Sequence, residues 1–229
     1  MGDETVVVPP SDPKAPAMIP LCRWKIDSAM ILSRRELATV LADLSRRAPR
    51  ALNTRLNLVI VRLACCCGLR VSEIRKLRLA DVRTGIGRPH LALGAQVAKG
   101  NRPRRVPLWW DAGTLADLDD WLAERRRQGA QPDDLVVGSM QVRRRGLPLS
   151  RQTLRTRFRT ACRVLGGERV KELTIHHGRH TFVSHALAGG RTLAEARDAA
   201  GHSSAWVTSA YLHVAVDDDG TVGQLFRYD

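Results

Sequence analysis

Apolar residues at 37, 40, 41 and 44 (Leu37, Val40, Leu41, Leu44) recur at three- and four-residue intervals, which places them on one face of a helix. Ser33 and Glu36 stand just ahead of that stripe with the Ser-x-x-Glu spacing of a capping box, so ordered structure is expected to begin there. A second helix is predicted over about 53–67, carrying Leu56, Leu58, Val59, Ile60 and Leu63, with Gly68 as its stop and a short helix over about 71–79. From 82 to 108 the rhythm changes. Short apolar runs, His90 to Leu93 and Val106 to Leu108, alternate with Gly, Pro and Asn, which predicts a small antiparallel sheet with Lys99-Gly100-Asn101 as a turn between strands. Helical patterns return at about 111–127, 150–165, 180–188, 193–199 and 204–213. The expected class is mainly α with a small antiparallel β-sheet (α+β).

The unpatterned ends divide the chain. Residues 1–29 hold Pro9, Pro10, Pro13, Pro16 and Pro20 with no period, and are expected to form a mobile or loosely docked arm. Residues 30–214 read as one domain, long enough to bury a real core. Residues 215–229 begin with Asp217-Asp218-Asp219-Gly220 and continue to Val222, Leu225 and Phe226, a tail expected to dock, on a neighbouring protomer or in cis.

Charge narrows the function. The formal net charge is +14, and the 37 basic residues include five Lys, hence 32 Arg. Such an excess is the electrostatic footprint of a nucleic-acid binder, and Arg is the better fork for phosphate. The cysteines at 22, 65, 66, 67 and 162 are odd in number, and three are consecutive, which suits neither a disulfide framework nor a zinc site. They read as buried thiols in a helix and point to a cytosolic compartment. No apolar stretch approaches the ~20 residues needed to span a bilayer.

Chemistry concentrates in a few boxes: Gly68-Leu69-Arg70-Val71-Ser72-Glu73, His176-His177-Gly178-Arg179-His180, Gly201-His202 and Thr208-Ser209-Ala210-Tyr211. Two arginines offer a clamp for a phosphodiester, two histidines handle protons, and a tyrosine supplies an oxygen nucleophile. Guanidinium forks can stabilise the charge that grows on the non-bridging oxygens without a metal. A His-x-x-x-His pair at 176 and 180 has zinc-like spacing, but Arg179 between them would repel a cation, so metal binding is not expected.

These boxes, with Lys99-Gly100-Asn101, resemble the catalytic domain of tyrosine recombinases, the phage-integrase family. The resemblance spans about residues 33–214, with the boxes in the family's order and nine residues from His202 to Tyr211. It implies Arg70 and Arg179 on the phosphate and Tyr211 as nucleophile in a covalent 3′-phosphotyrosyl intermediate. It implies Lys99 as general acid to the leaving 5′-oxygen, His176 as helper to the Tyr211 hydroxyl or the phosphate, and His202 on a non-bridging oxygen. Glu73 is expected to orient the site. No cofactor is expected. The implied partner is double-stranded DNA, bound as a homotetramer on paired sites, with an accessory DNA-binding protein as a further candidate and a nucleoid-associated cytoplasmic location. The 29 residues ahead of the domain are too short for the family's helical core-binding domain, so a minimal form is expected. A non-cutting DNA-binding protein on the same fold and a type IB topoisomerase-like relaxing enzyme are the alternatives.

Arg102, Arg104, Arg143, Arg144, Arg145, Arg151 and Arg155 are the expected DNA contacts. The family often has Leu where this chain has Gly178 and Ala200, and Gly178 is expected to loosen its box. His177, His180 and His213 are expected to be structural or phosphate-adjacent, Trp109 and Trp110 to pack beneath the next helix, and Trp206 to join the core near Tyr211.

Overall fold

The computed structural model describes residues 26–85, 87–98, 102–212 and 214. Helix α1 (Arg34–Arg47) starts at the predicted capping box: the Ser33 hydroxyl accepts from the Glu36 N–H, and the Glu36 carboxylate accepts from the Ser33 N–H at 2.8 Å. Its Leu37, Val40, Leu41 and Leu44 are all buried, as the spacing predicts. Order begins earlier than expected, because Ile31 and Leu32 are already core. Leu32 donates its N–H to Thr181 Oγ1 at 2.9 Å, and its carbonyl lies 2.9 Å from His185 Nε2.

Helix α2 (Leu52–Val61) does not run to residue 67 in regular form. It passes into a π-turn over Arg62–Cys66, where the Cys67 N–H reaches back five residues to the Arg62 carbonyl at 3.0 Å. Such a turn carries one residue more than a regular helix needs. Arg62 is buried there and holds Asp111 at 3.0 Å and Asp117 at 2.6 Å. Cys65, Cys66, Cys67 and Cys162 are buried free thiols, as expected, and burial pushes Cys66 and Cys162 up to about 12. At neutral pH they are inert apolar filling.

The short helix α3 (Val71–Ile74) follows the turn. Strands β1 (Val82–Arg83), β2 (His90–Leu93) and β3 (Arg104–Pro107) form an antiparallel sheet in sequence order, with Val82 opposite Leu91 and Leu91 opposite Val106. Side chains alternate across a strand, so Arg104 shares the inner face with buried Val106 while Arg105 faces out. The Lys99-Gly100-Asn101 turn, the tail from 215 and most of the arm lie outside the described residues.

Helices α4 (Ala112–Arg127) and α5 (Arg151–Ala161) pack on α2. The expected helix to 165 ends sooner: a 3₁₀ turn (Cys162–Leu165) and Gly166 lead into α6 (Gly167–Glu172), which the pattern does not separate. Arg169 of α6 clasps Glu36 at 2.7 Å and the carbonyls of Ala29 and Ile31, tying the start of the described chain to the domain.

Helix α7 (Ile175–Ala188) is the central helix, packed on the π-turn, α5 and α8 (Leu193–Ala200). It is buried nearly all round, from Gly178 and Arg179 through Thr181 to Ala186. Its first turns instead carry exposed His176 and half-buried His177 and His180 beside Gly178 and Arg179, so no apolar stripe marks the beginning, and the expected start at 180 falls five residues late. Gly178 lies against the π-turn. A Cβ there would stand 2.9 Å from the Ala64 Cβ and 3.1 Å from the Cys65 Sγ. The bare glycine therefore tightens this contact rather than loosening it. Helix α9 (Ala205–Ser209) is shorter than predicted and leads to Tyr211. Trp110 is buried and stacked on Phe182, whereas Trp206 is 48% exposed: α9 turns Thr208 inward and Trp206 outward, so Trp206 is not core.

Candidate active site

Backbone turns at three element ends bring the boxes together. The Gly68 carbonyl, beyond the π-turn, accepts a 2.8 Å hydrogen bond from Arg179 Nη1 of α7. Arg179 is 3% exposed, and its Nη2 is buried with no hydrogen-bond partner. Burial, then the neighbouring charges of Arg70 and Arg104, lower its pKa to about 9, so the fork remains charged at neutral pH. A buried donor left open in this way is held ready for an anion.

Arg70 precedes α3 and donates from Nη2 to the Gly201 carbonyl at 3.2 Å and from Nη1 to Glu73 at 3.2 Å. Glu73 also accepts the Arg70 N–H at 2.8 Å. It is wholly buried, and Arg104 grips both its oxygens at 2.8 and 2.9 Å. Burial alone would raise the Glu73 carboxyl, but the Arg104 fork and the Arg70 contacts overcome it and bring the pKa down to about 2. Glu73 is thus an anion at neutral pH that holds two arginines. Arg104 departs from expectation. Its side chain is only 8% exposed, with Nε on the Ala199 carbonyl at 3.0 Å, so its donors are committed to the protein instead of facing a DNA backbone.

Gly201 ends α8 with φ of 68°, a left-handed conformation that glycine adopts without strain. Its position against the Arg104 side chain leaves no room either: a Cβ would sit 2.7 Å from the Arg104 Cδ. The chain then presents His202, whose Nδ1 is 2.8 Å from the buried Thr208 hydroxyl. Burial and the Arg179, Arg70 and Arg104 charges depress His202 to about 3. It is neutral at physiological pH and can hydrogen-bond an anion without carrying charge.

Tyr211 is 5% exposed, stacked against His202 with ring centroids 6.1 Å apart. Its hydroxyl is 2.7 Å from His180 Nδ1. Burial raises the phenol, and the Arg179 and Arg70 charges pull the other way. His176 is exposed in the first turn of α7, with its ring edge-on to His180 at 4.8 Å. The resemblance implies His176 as helper to the Tyr211 hydroxyl or to the phosphate; the residue found on the hydroxyl is His180. One signal in the sequence bears on this: 176 and 180 are four apart and share a helix face. The pairing of His180 with Tyr211, 31 residues away, leaves no local signal.

A cleft of about 650 Å³ opens beside this cluster, lined by Leu69, Arg70, Ser72, Arg151, Arg155 and His176. Arg151 and Arg155 are exposed in the first turns of α5, and Arg102, Arg143, Arg144 and Arg145 are also exposed. Lys99 and His213 lie outside the described residues. Among the described residues, no group of His, Cys, Asp and Glu is arranged to hold a metal ion, and no helix is long and apolar enough to cross a membrane.

Comparison with known proteins gives a consistent picture. The model of the phage integrase family matches residues 32–217. "Tyrosine recombinase XerC" of Mycobacterium bovis (strain BCG / Pasteur 1173P2) is 30% identical over 210 residues, covering 90% of this chain and 65% of that protein. "Tyrosine recombinase XerD" of Proteus mirabilis is 35% identical over 156 residues, covering 66% and 45%. The chain thus spans less than two thirds of the length of these relatives. Among solved structures, XerA recombinase superposes with a TM-score of 0.63 at 21% identity, covering 92% of this chain and 64% of that one. XerH site-specific recombinase bound to palindromic difH substrate superposes with 0.62 at 21% identity, covering 82% and 50%. At these identities the superpositions establish the shared fold.

Proposed function

We propose, from the premise that this chain belongs to the phage integrase family of tyrosine recombinases, that it cuts and rejoins DNA at specific sites through Tyr211. The observation that carries this reading is the convergence of Arg70, Arg179, His202 and Tyr211 from four separate stretches of sequence, with Arg70 also lining the arginine-rich cleft beside them.

A DNA phosphodiester entering the cleft meets the forks of Arg70 and Arg179. The open Arg179 Nη2 gains the partner it lacks, and the growing charge on the non-bridging oxygens is met by donors already in place. Neutral His202 adds a hydrogen bond. The Tyr211 oxygen forms a bond to phosphorus as the bond to the 5′-oxygen breaks, leaving a 3′-phosphotyrosyl link and a free 5′-hydroxyl. Lys99 supplies the proton to that leaving oxygen. Because the phosphotyrosyl ester keeps the energy of the bond it replaced, attack by a 5′-hydroxyl reseals the strand without ATP. Arg102, Arg143 to Arg145, Arg151 and Arg155 contact flanking phosphates. Recombination proceeds in a homotetramer on paired sites, at the nucleoid.

The test is a nicked duplex that traps the covalent adduct. Wild-type protein is expected to give an SDS-stable protein–DNA band, and Tyr211→Phe none, with DNA binding retained. An adduct that survives in Tyr211→Phe removes the assignment.

A further inference from the structure

We infer that His180 is a catalytic residue, the group that takes the proton from the Tyr211 hydroxyl during strand cleavage and returns it during resealing. The inference rests on the recombinase reading above and assigns one step within it.

The geometry is direct. His180 Nδ1 lies 2.7 Å from the Tyr211 oxygen, the distance of a well-formed hydrogen bond, across a part-buried contact. The rings are 5.7 Å apart and tilted by 32°. His180 is fixed by α7: it follows Arg179 by one residue, so the helix that aims the phosphate clamp also aims the base. On the outer side the His176 ring stands against it edge-on.

The groups facing His180 set its protonation. From α7 these are His176, His177 and Arg179; across the site are Tyr211 and His202, with Arg70 acting on Tyr211. Burial comes first, and His176, His177 and Arg179 add to it, placing His180 at about 4. It is therefore a neutral imidazole at physiological pH. With its proton on Nε2, it offers a lone pair on Nδ1 and the tyrosine donates. Against a phenol raised by its own burial, prior ionisation is strongly uphill, so the proton moves as the oxygen–phosphorus bond forms. The bound phosphodiester assists, because its negative charge offsets the Arg179 field that holds His180 down. The Tyr211 O–H bond breaks, the Tyr211 O–P bond forms, the P–O5′ bond breaks, His180 becomes an imidazolium, and the leaving 5′-oxygen takes its proton from Lys99. When a 5′-hydroxyl attacks, it gives its proton back to Lys99 and the leaving phenolate recovers its own from His180. No other reactant is consumed.

The experiment uses the full chain and DNA sites recovered by sequencing SDS-stable adducts from a pool of randomised nicked duplexes. Single-turnover cleavage is compared for wild type, His180→Ala and His180→Gln, on ordinary DNA and on DNA with sulfur in place of the bridging 5′-oxygen. The sulfur leaves without a proton, so it relieves a missing acid but not a missing base. Both variants are expected to bind DNA as wild type does and to cleave about 10²-fold more slowly near neutral pH on either substrate. Their rates should climb with pH as hydroxide replaces the imidazole, while wild type stays flat from ~6 to ~8. Wild-type rates in both variants, rescue by sulfur, or a loss that is equal at every pH would overturn the role. Failure of wild type to form any adduct would instead remove the recombinase reading, and this inference with it.

Discussion

Arg104 and Glu73 form a two-pronged ion pair, at 2.8 and 2.9 Å, in which the carboxylate is wholly buried. The strand β3 thereby holds the turn that carries Arg70. Breaking such a pair leaves an uncompensated charge in the interior. Glu73→Ala is expected to lose about 3–5 kcal/mol of stability in urea denaturation. A loss below about 1 kcal/mol would mean that water reaches Arg104 and that the pair is dispensable.

The same pairing separates Arg104 from the exposed arginines. Arg151→Ala and Arg155→Ala should each reduce the slope of log binding constant against log salt by about 0.9, the signature of one lost phosphate contact. Arg104→Ala should lower the melting temperature instead, with the slope nearly unchanged. Titrations of a DNA duplex over a range of salt, beside thermal melts, distinguish the two groups.

Gly178 gives a steric prediction. With the Ala64 Cβ and Cys65 Sγ so near, Gly178→Leu should cost about 1–3 kcal/mol or more by overpacking. It should also displace Arg179, so adduct formation should fall more than stability does. A Gly178→Leu variant as stable and as active as wild type would show that α7 can move off the π-turn at no cost.

Acid should unfold the protein early. His180 and His185 are held at about 4 and His202 at about 3, against 6.5 for the free side chain. In each case burial is the largest cause. The unfolded chain binds these protons below 6.5 and the folded chain refuses them, so their stabilisation is complete above 6.5 and drains away as pH falls towards 4 and 3. The slope is at most about 1.4 kcal/mol per pH unit for each histidine. Glu73, held near 2, acts in the same direction below 4.5. Urea midpoints measured from neutral to acid pH should drop steadily; a flat profile would place these rings in water.

Elements with one wet face are legible in the sequence. Leu37, Val40, Leu41 and Leu44 announce α1, and the Ser33–Glu36 box marks its start to the residue. Helix α7 opens with polar His176, His177 and Arg179 around Gly178 before its buried body, and its beginning escapes the pattern. The candidate site is readable where its residues sit in local boxes, as Arg70 with Glu73 or Gly201 with His202 do. It is not readable where the decisive contact joins distant segments. Arg104 looks in sequence like any of its basic neighbours; only the alternation of β3 turns it inward while Arg105 faces water. His180 likewise acquires its meaning from a tyrosine brought to it by α8 and α9. Hydrophobicity alone places Trp206 in the core, but α9 turns Thr208 inward and leaves Trp206 on its outer side.

The π-turn over Arg62–Cys66 has a consequence for how this chain tolerates change in length. Removing one residue, such as Ala64, would let α2 relax into an ordinary helix and improve its local hydrogen bonding. A π-turn absorbs its extra residue by widening one turn, so the chain on either side would keep its phase and Gly68 could still offer its carbonyl to Arg179. What the deletion would disturb is the turn's own surface: Arg62 with its Asp111 and Asp117 partners, and the Ala64–Cys65 bed on which Gly178 rests. The shorter chain would be the better helix and the poorer seat for α7.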